Sequence, residues 1–202
     1  RWGAEVAGFA ADAAAGSATL VEACRAVEEA IAARMTYEAG VTEVGTPVDD
    51  VFAAARGAFA TDGLRIAVPA GTVVPEPIVV DVAAVSPGAS FPVVSLSVGP
   101  DSEVAVVVVL RSPDGVAAVA SPLVVADVAD GARLRYQSVQ ALGSDARGVT
   151  HARVGVGRDA TVLFGEVGLG GRPGRLDLAA ALEGAGSSVN LTGLSFGGGG
   201  QV

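Results

Sequence analysis

One short phrase occurs four times in the second half of the sequence, and it constrains the fold more than any single residue does. Each copy is a turn of Gly, Asp or Ser followed by a strand that begins on an aliphatic residue. The aliphatic residues follow one another at intervals of 30, 28 and 27 residues: Val104, Leu134, Val162 and Val189. A near-constant period of this size, filled with strands rather than helices, is typical of a solenoid, in which each repeat buries its apolar face against the next. The sequence therefore predicts a β-solenoid.

Composition supports a β-rich core and argues against one class of partner. Half of the 202 residues are hydrophobic but only 4% are aromatic, so Val, Ala and Leu must fill the core. The 28 glycines suit a fold with many tight corners. The net charge is −9, and all 13 basic residues are Arg. Because binding to a phosphate backbone needs a basic surface, this balance argues against a nucleic acid as the main partner.

The single cysteine and the short apolar runs constrain the cellular location of the protein. Cys24 is the only cysteine, which excludes an internal disulfide and a multi-thiolate metal site within the chain. The strongest apolar run, residues 104–110, is far shorter than the roughly 18 residues that a membrane-spanning helix needs. No charged-then-apolar secretion signal opens the chain, so we expect a cytoplasmic protein without a membrane partner. An initial Arg1 and a pattern that continues to Val202 are typical of a fragment of a longer protein.

The sequence predicts two parts with different periodicities. In residues 1–60, Ser17 or Thr19 can cap a helix, and Glu22 completes a capping box with Thr19. Apolar residues then recur along one face of this helix: Leu20, Cys24, Val27, Ile31 and Met35. Shorter helices are expected over residues 5–15 and 49–59. Residues 61–202 are predicted to form a parallel β-helix.

The β-helix prediction depends on a series of short strand-like stretches. No long helical pattern separates them, which argues against a doubly wound α/β fold. The stretches are residues 66–68, 72–74, 78–82, 93–98, 104–110, 123–128, 134–140, 151–156, 161–167, 176–182 and 189–196. Pro75 and Pro77 rule out a continuous hairpin ladder at their positions and suit the corners of a coiling chain.

Each residue with chemical potential also has a structural interpretation, and the sequence favours that interpretation. His151 has no nearby Cys or paired carboxylates, so it is a poor metal ligand. Cys24 lies on the apolar face of a predicted helix, where cysteine acts as a small hydrophobic residue. The β-helical polysaccharide enzymes use paired carboxylates, but no spacing selects a pair among the candidates Asp159, Glu166, Asp177 and Glu183.

Two glycine-rich stretches, residues 168–171 and 197–200, lack the Lys-Ser/Thr of a phosphate-binding loop, and no helix is predicted after either. We interpret residues 168–171 as a corner, and residues 197–200 as a corner or a disordered end. The sequence thus predicts no catalytic, cofactor-binding or metal-binding residue and favours a scaffold or interaction protein over an enzyme. Two alternatives stay open: a β-helical carbohydrate-active enzyme, for which sugar-stacking aromatic residues are scarce, and a structural solenoid that polymerises end to end.

The corner phrases also form an ordered set across residues 62–201. They are DGLRIAVPAG (62–71), VPEPI (74–78), DGARL (130–134), VQ (139–140), HARVGVGRDA (151–160), GLGG (168–171), RLD (175–177), LEGAG (182–186), LTGL (191–194) and GQ (200–201). Together they resemble the SufB/SufD family of scaffolds for iron–sulfur cluster assembly. The first 60 residues match that family only in being helical and variable.

Within this family the chain is more similar to the SufD branch than to the SufB branch. SufB-type chains have a Glu-Gly-Cys turn, whereas residues 111–122 contain no cysteine. They also have Gln-Asn-Trp where this chain has Gln140-Ala141-Leu142, and Lys-Arg where it has Ala152-Arg153. Since that Cys, Trp and Lys are linked to sulfur handling in SufB, the resemblance implies that this chain does not carry the sulfur path. Gln140 and Arg153 match the pattern, and no role follows from the match alone.

The resemblance implies a right-handed parallel β-helix that has no catalysis of its own and works in a complex with SufB and the ATPase SufC. A transient iron–sulfur cluster is implied for the full complex at the SufB–SufD interface, with no cofactor in this chain and with the cluster-forming residues beyond Val202. A β-helix that stops after residues 189–196 leaves its last strand unpaired, so we also expect a homo-oligomer through this open end.

Overall fold

A computed structural model describes residues 63–172 and 174–196, together with Ala15. The helices predicted in residues 1–60, the domain boundary at residue 60, Cys24 and the glycine-rich stretch 197–200 lie outside the described residues. None of the described residues belongs to a helix that is long and apolar enough to cross a membrane.

The described chain is built from twelve β-strands. They are β1 (Gly63–Val68), β2 (Ile78–Ala83), β3 (Gly88–Ser90), β4 (Val93–Val98), β5 (Glu103–Arg111), β6 (Ala118–Ala120), β7 (Leu123–Val128), β8 (Arg133–Ala141), β9 (Arg147–Val156), β10 (Thr161–Gly168), β11 (Arg175–Leu182) and β12 (Ser188–Ser195). All of their pairings are parallel.

The strands line three faces of a coiling chain. Face A contains β1, β4, β7, β9 and β11, face B contains β2, β5, β8, β10 and β12, and the short face C contains β3, β6 and the start of β9. The coils, in order, are β1–β3, β4–β6, β7 to the start of β9, the rest of β9 with β10, and β11 with β12. The predicted β-solenoid with parallel strands is therefore confirmed, with about five coils.

The repeated phrase marks one corner of every coil. The four anchor residues lie in a single register on face B, since Val104 pairs with Leu134, Leu134 with Val162, and Val162 with Val189. Three residues before each anchor, and before the equivalent Val74, the backbone has a positive φ of 54–75°: Gly71, Asp101, Gly131, Asp159 and Gly186. Left-handed conformations of this kind favour Gly and tolerate Asp, which explains why the phrase begins with these residues.

Backbone hydrogen bonds connect the corners of successive coils. The Gly71 amide donates to the Pro100 carbonyl at 2.8 Å, and the Gly131 amide donates to the Arg158 carbonyl at 2.8 Å. Corner stacking is close enough to require glycine at Gly157, because a Cβ there would lie 2.8 Å from the Asp130 nitrogen. The corners therefore continue the parallel ladder from one strand face to the next.

The core runs along the inside of the coils and is mostly aliphatic. Alternate strand residues point inward, and stacking places the same face of every coil in one continuous cluster that includes Leu96, Val108, Leu134 and Val162, each at most 1% exposed. Burying such a side chain stabilises the fold by about 1.5–3 kcal/mol. Coil stacking thus builds a continuous core from small aliphatic side chains, in a sequence with few aromatic residues.

Two details differ from the prediction. Residues 72–74 form only a single bridge, between Val73 and Glu103, instead of a strand. The pairing offset is 30 residues at Val73 but 28 at Ile78, so the segment around Pro75 and Pro77 contains two extra residues that interrupt pairing. In addition, β3, β6 and the first residues of β9 are absent from the prediction, because they are short and rich in Gly, Ala and Ser.

Candidate functional site in the interior of the last coils

The interior of face B changes from apolar to polar along the solenoid. Because the strands are in parallel register, side chains of successive coils stack in columns. One inward column passes from apolar to polar residues in chain order: Val80, Val108, Ser138, Glu166 and Gly193. The adjacent inward column changes in the same way: Val82, Leu110, Gln140, Gly168 and Ser195. A polar interior therefore begins at the third coil.

Glu166 is the central residue of this polar interior. Its side chain is half-buried, and this burial raises the pKa of the carboxyl above its ordinary value. The Ser138 hydroxyl opposes the shift by favouring the charged form, although among the described residues Ser138 Oγ and Glu166 Oε2 are both buried without a partner in full hydrogen-bond geometry. Since unpaired buried polar atoms are costly, this pair of neighbours indicates a position that a further hydrogen-bonding group can stabilise.

Tyr136 lies next to this pair, at the boundary between the polar interior and the apolar core. Its ring stacks on Phe164 of the neighbouring coil at a centroid distance of 4.6 Å, and its hydroxyl is buried with no hydrogen-bond partner in the described part of the chain. Burial, and then the charge of Glu166, raise the pKa of the Tyr136 phenol well above its ordinary range. The phenol therefore stays protonated at neutral pH and can donate a hydrogen bond.

Gln140 occupies a space that glycines leave open. Only 7% of the residue is exposed, and a Cβ on Gly174 would lie 3.0 Å from its Nε2 atom. A Cβ on Gly148 would also overlap its amide group, at 2.6 Å from Cδ. The amide reaches the Gly170 carbonyl at 3.5 Å, the long limit for a hydrogen bond. The glycines of this region thus accommodate a buried amide.

A cavity of about 390 Å³ opens beside these groups. Gln140 and Glu166 form its polar side, while Leu176, Leu191 and Phe196 contribute apolar wall. Gly168 and Gly193 leave space within it, since a Cβ on Gly193 would meet no described atom within 4 Å.

Two arginines also line the cavity, and each is paired with an aspartate. Arg172 Nη2 lies 3.3 Å from Asp145 Oδ1, and Arg175 Nε lies 2.9 Å from Asp177 Oδ2. Both arginine side chains are more than half exposed. Asp145 and Asp177 therefore neutralise these two arginines, and neither arginine is paired with Glu166.

His151 lies outside this interior. It is on the outward side of face A together with Arg153, as the alternation of the sequence predicts. Its Nδ1 atom is 3.7 Å from Asp177 Oδ2, and Asp177 also accepts a hydrogen bond from Arg175 Nε at 3.0 Å. This arrangement joins β9 to β11 at the surface. Across residues 63–172 and 174–196, no three His, Cys, Asp or Glu side chains converge as a metal site would require.

The four candidate carboxylates separate into three places. Glu166 lies in the interior, and Asp177 lies beside His151. Asp159 and Glu183 line one groove of about 570 Å³ at the repeated corner, where Arg158 pairs with Asp130 at 3.1 Å. None of the described residues that line this groove is aromatic, so these residues do not provide the stacking surface that sugar-binding grooves use.

The glycine-rich stretch 168–171 is a corner of the coil. The Leu169 amide donates to the Gln140 carbonyl at 2.8 Å, and Gly171 has a φ of +82°. The next regular element is β11 rather than a helix, whereas a phosphate-binding loop leads into a helix N-terminus. The interpretation of this stretch as a corner is confirmed.

Comparison with protein families matches residues 81–202 to the SUF system FeS cluster assembly, SufBD core domain. The chain belongs to the SufBD family. This family takes part in iron–sulfur cluster assembly by the SUF system. Comparison with curated proteins and with solved structures found no match. The SufBD core match begins within β2 and covers the last four coils, so the polar interior lies entirely inside the SufBD core domain.

Proposed function

We propose that this chain is a SufD-like scaffold subunit that works with a SufB-like subunit and the ATPase SufC in a cytoplasmic complex. The observation that carries the proposal is the match of the SufBD core domain to residues 81–202. In this proposal the chain is not an enzyme. It contributes a rigid parallel β-solenoid as a binding surface, and the iron–sulfur cluster is the cargo of the complete complex.

The assignment to the SufD branch is supported by three positions. The segment from Arg111 to Pro122, where SufB-type chains have a cysteine, contains none. Leu142 and Ala152, at the positions of the SufB-type Trp and Lys, are 4% and 1% exposed and belong to the apolar core. Transfer of sulfur requires a thiolate as the nucleophile, and an apolar core offers no group to accept or relay it.

Co-purification of the full-length protein with its SufB-like and SufC-like partners tests this proposal. We expect the three proteins to elute together in size-exclusion chromatography, and the tagged full-length protein to retain both partners. If it retains neither partner, the proposal is wrong.

A second experiment separates the SufD-like from the SufB-like assignment. Cys24→Ser removes the only thiol of these 202 residues. Under the SufD-like assignment, the complex with this variant acquires iron and sulfide in anaerobic reconstitution as the unchanged complex does. A large loss of cluster with the Cys24→Ser variant, while the complex itself stays assembled, would assign sulfur handling to this chain instead.

A further inference from the structure

The cavity of the last coils has the features of a ligand site. Its volume of about 390 Å³ lies within the roughly 300–1,000 Å³ of small-molecule sites, which combine apolar walls with a few convergent polar groups. Here Leu176, Leu191 and Phe196 form apolar wall, and Glu166 and Gln140 supply the polar groups. In the described chain, Ser138 and Tyr136, which are 1% and 3% exposed, place near Glu166 hydroxyl groups that have no partner in full hydrogen-bond geometry.

Among the described residues that line the cavity, every cation is paired with a carboxylate other than Glu166. From β8, the facing groups are Tyr136 and Ser138, and neither is a cation. β11 and the segment before it contribute Arg175 and Arg172, which are paired with Asp177 and Asp145. β12 contributes only uncharged residues to the lining. Buried carboxylates are normally paired with a cation or hydrogen-bonded, so a positive group in the described cavity would stabilise the charged form of Glu166.

We propose that this cavity binds the primary ammonium group of an alkylamine, supplied by a free amine or by a lysine side chain of a protein partner. An ammonium carries three donors, which suit the Glu166 carboxylate and the oxygens of nearby polar side chains. Its methylene chain suits the apolar wall. An anion would meet the Glu166 carboxylate at close range, and a divalent metal would find a single carboxylate where such ions use several oxygen ligands.

This site is independent of the SufD-like assignment, because it depends on the side chains of one cavity and not on the partners of the SUF system. It predicts that binding weakens as Glu166 becomes protonated at low pH, because the neutral carboxyl no longer attracts the cation. Burial moves this titration above the ordinary pKa of a glutamate.

Calorimetric titration of the 202-residue chain with n-butylammonium and methylammonium at pH 7.5 tests the proposal. We expect n-butylammonium to bind more tightly, by up to about fourfold for each buried methylene. Glu166→Gln should weaken n-butylammonium binding at least tenfold. The control Glu183→Gln removes an exposed carboxylate at a corner and should leave binding unchanged.

Gly193→Val gives a second route that leaves the carboxylate in place. A side chain here enters open space in the cavity, so the variant should lose n-butylammonium binding while its far-ultraviolet circular dichroism stays the same. Equal binding by the Glu166→Gln and Glu183→Gln variants, or no effect of Gly193→Val, would overturn the proposal. Potassium chloride that competes at the same concentration as n-butylammonium would also overturn it, since it would indicate a site for a bare cation.

Two further ligands identify the source of the ammonium group. Nα-acetyl-lysine methylamide reproduces a lysine within a protein, and its Nε-acetylated form lacks the charge. Tighter binding of the lysine derivative than of n-butylammonium would indicate a partner's lysine, and the reverse order would indicate a free amine. Equal binding of the charged and the Nε-acetylated derivatives would contradict recognition of an ammonium group.

Discussion

The carboxylate of Asp101 occupies the space directly over the Cα atom of Gly131, one coil further along the chain. Asp101 has a φ of 54° and Gly131 a φ of 71°, so both residues use the left-handed conformation at the same corner. A Cβ on Gly131 would overlap Asp101, at 3.3 Å from its Cγ and closer to Oδ1. Asp159 and Gly186 repeat the arrangement two coils later. The corner thus pairs an Asp of one coil with a Gly of the next.

Gly131→Ala should destabilise the solenoid more than glycine replacement at a corner with open space. The left-handed conformation costs a non-glycine residue about 1–2 kcal/mol, and the overlap with Asp101 adds to this cost. Gly115→Ala is the matched control, because Gly115 has a φ of 75° and no described atom within 4 Å of a Cβ. We expect Gly131→Ala to lose about 1 kcal/mol more than the control in urea denaturation, within the usual range for point mutants.

Asp101→Gly combined with Gly131→Ala provides the check on this explanation. Removing the Asp101 side chain relieves the overlap, so the double variant should recover part of the loss. Equal stabilities of the Gly131→Ala and Gly115→Ala proteins would show that contact with Asp101 contributes nothing.

Alanine variants at Leu134 and Leu163 test how much a buried anchor residue stabilises the fold compared with an exposed residue. Leu134 is 1% exposed, whereas Leu163 points outward and is 43% exposed. Leu134→Ala removes buried methyl groups between Val104 and Val162 and should cost about 2–5 kcal/mol. Leu163→Ala removes a half-solvated side chain and should cost less than about 1 kcal/mol. Urea denaturation of both variants measures the difference, and similar losses would contradict a larger contribution of the buried anchor to the stability.

The corner phrase predicts the register of the fold because its requirements are local. The left-handed residue is Gly or Asp at each of the five corners, as this conformation favours, and the anchor three residues later is aliphatic, so one coil alone shows the pattern. β3 (Gly88–Ser90) has neither a β-branched residue nor a turn signal of this kind. Its pairing with β6 results from coil stacking, and no local pattern could predict it.

The polar interior could not be predicted from the sequence, for a related reason. Ser138 and Glu166 are far apart along the chain, and the sequence analysis singles out Glu166 only as a candidate member of a carboxylate pair. Their stacking follows from the parallel register of β8 and β10. The two extra residues around Pro75 and Pro77 also shift the offset within the first coil, so counting from Val74 places Val80 opposite Leu110 instead of Val108. Alignment of coils 2 to 4 on their anchors reveals the column.

Glu166 gives the solenoid a pH dependence with a definite sign. Burial raises its pKa in the folded state above the value in the unfolded chain, so the folded state binds more protons between these two pKa values. The contribution of Glu166 to the free energy of unfolding therefore falls as pH rises through this interval and levels off above the folded-state pKa. Glu166→Gln should remove this fall, so the variant gains stability relative to the unchanged protein as pH rises from acidic values to neutral.

Melting temperatures of the unchanged protein, Glu166→Gln and Glu183→Gln, measured from acidic to neutral pH, test this effect. The Glu183→Gln variant controls for the loss of one negative charge from a protein of net charge −9. Parallel profiles for the unchanged protein and Glu166→Gln would contradict a raised pKa at Glu166.

We expect the 202-residue chain to self-associate through the outer edge of β12. Within the described residues β12 pairs only with β10, and Leu191, Leu194 and Phe196 are 54%, 52% and 61% exposed there. A strand edge with exposed apolar side chains is a template for pairing with another chain, and a charged side chain at the edge opposes such pairing. We expect concentration-dependent dimers in light scattering coupled to size-exclusion chromatography, and a monomer for Leu194→Lys.

Leu163→Lys is the control for this edge. It places the same charge on the outward side of β10, a strand whose two edges are already paired with β8 and β12, so the dimers should stay intact. Dimers that persist in Leu194→Lys, or a monomer for the unchanged chain at high concentration, would exclude the β12 edge as the contact. Loss of the dimers in both lysine variants would instead point to the outward side of face B, because the two substitutions share only that surface and the added charge.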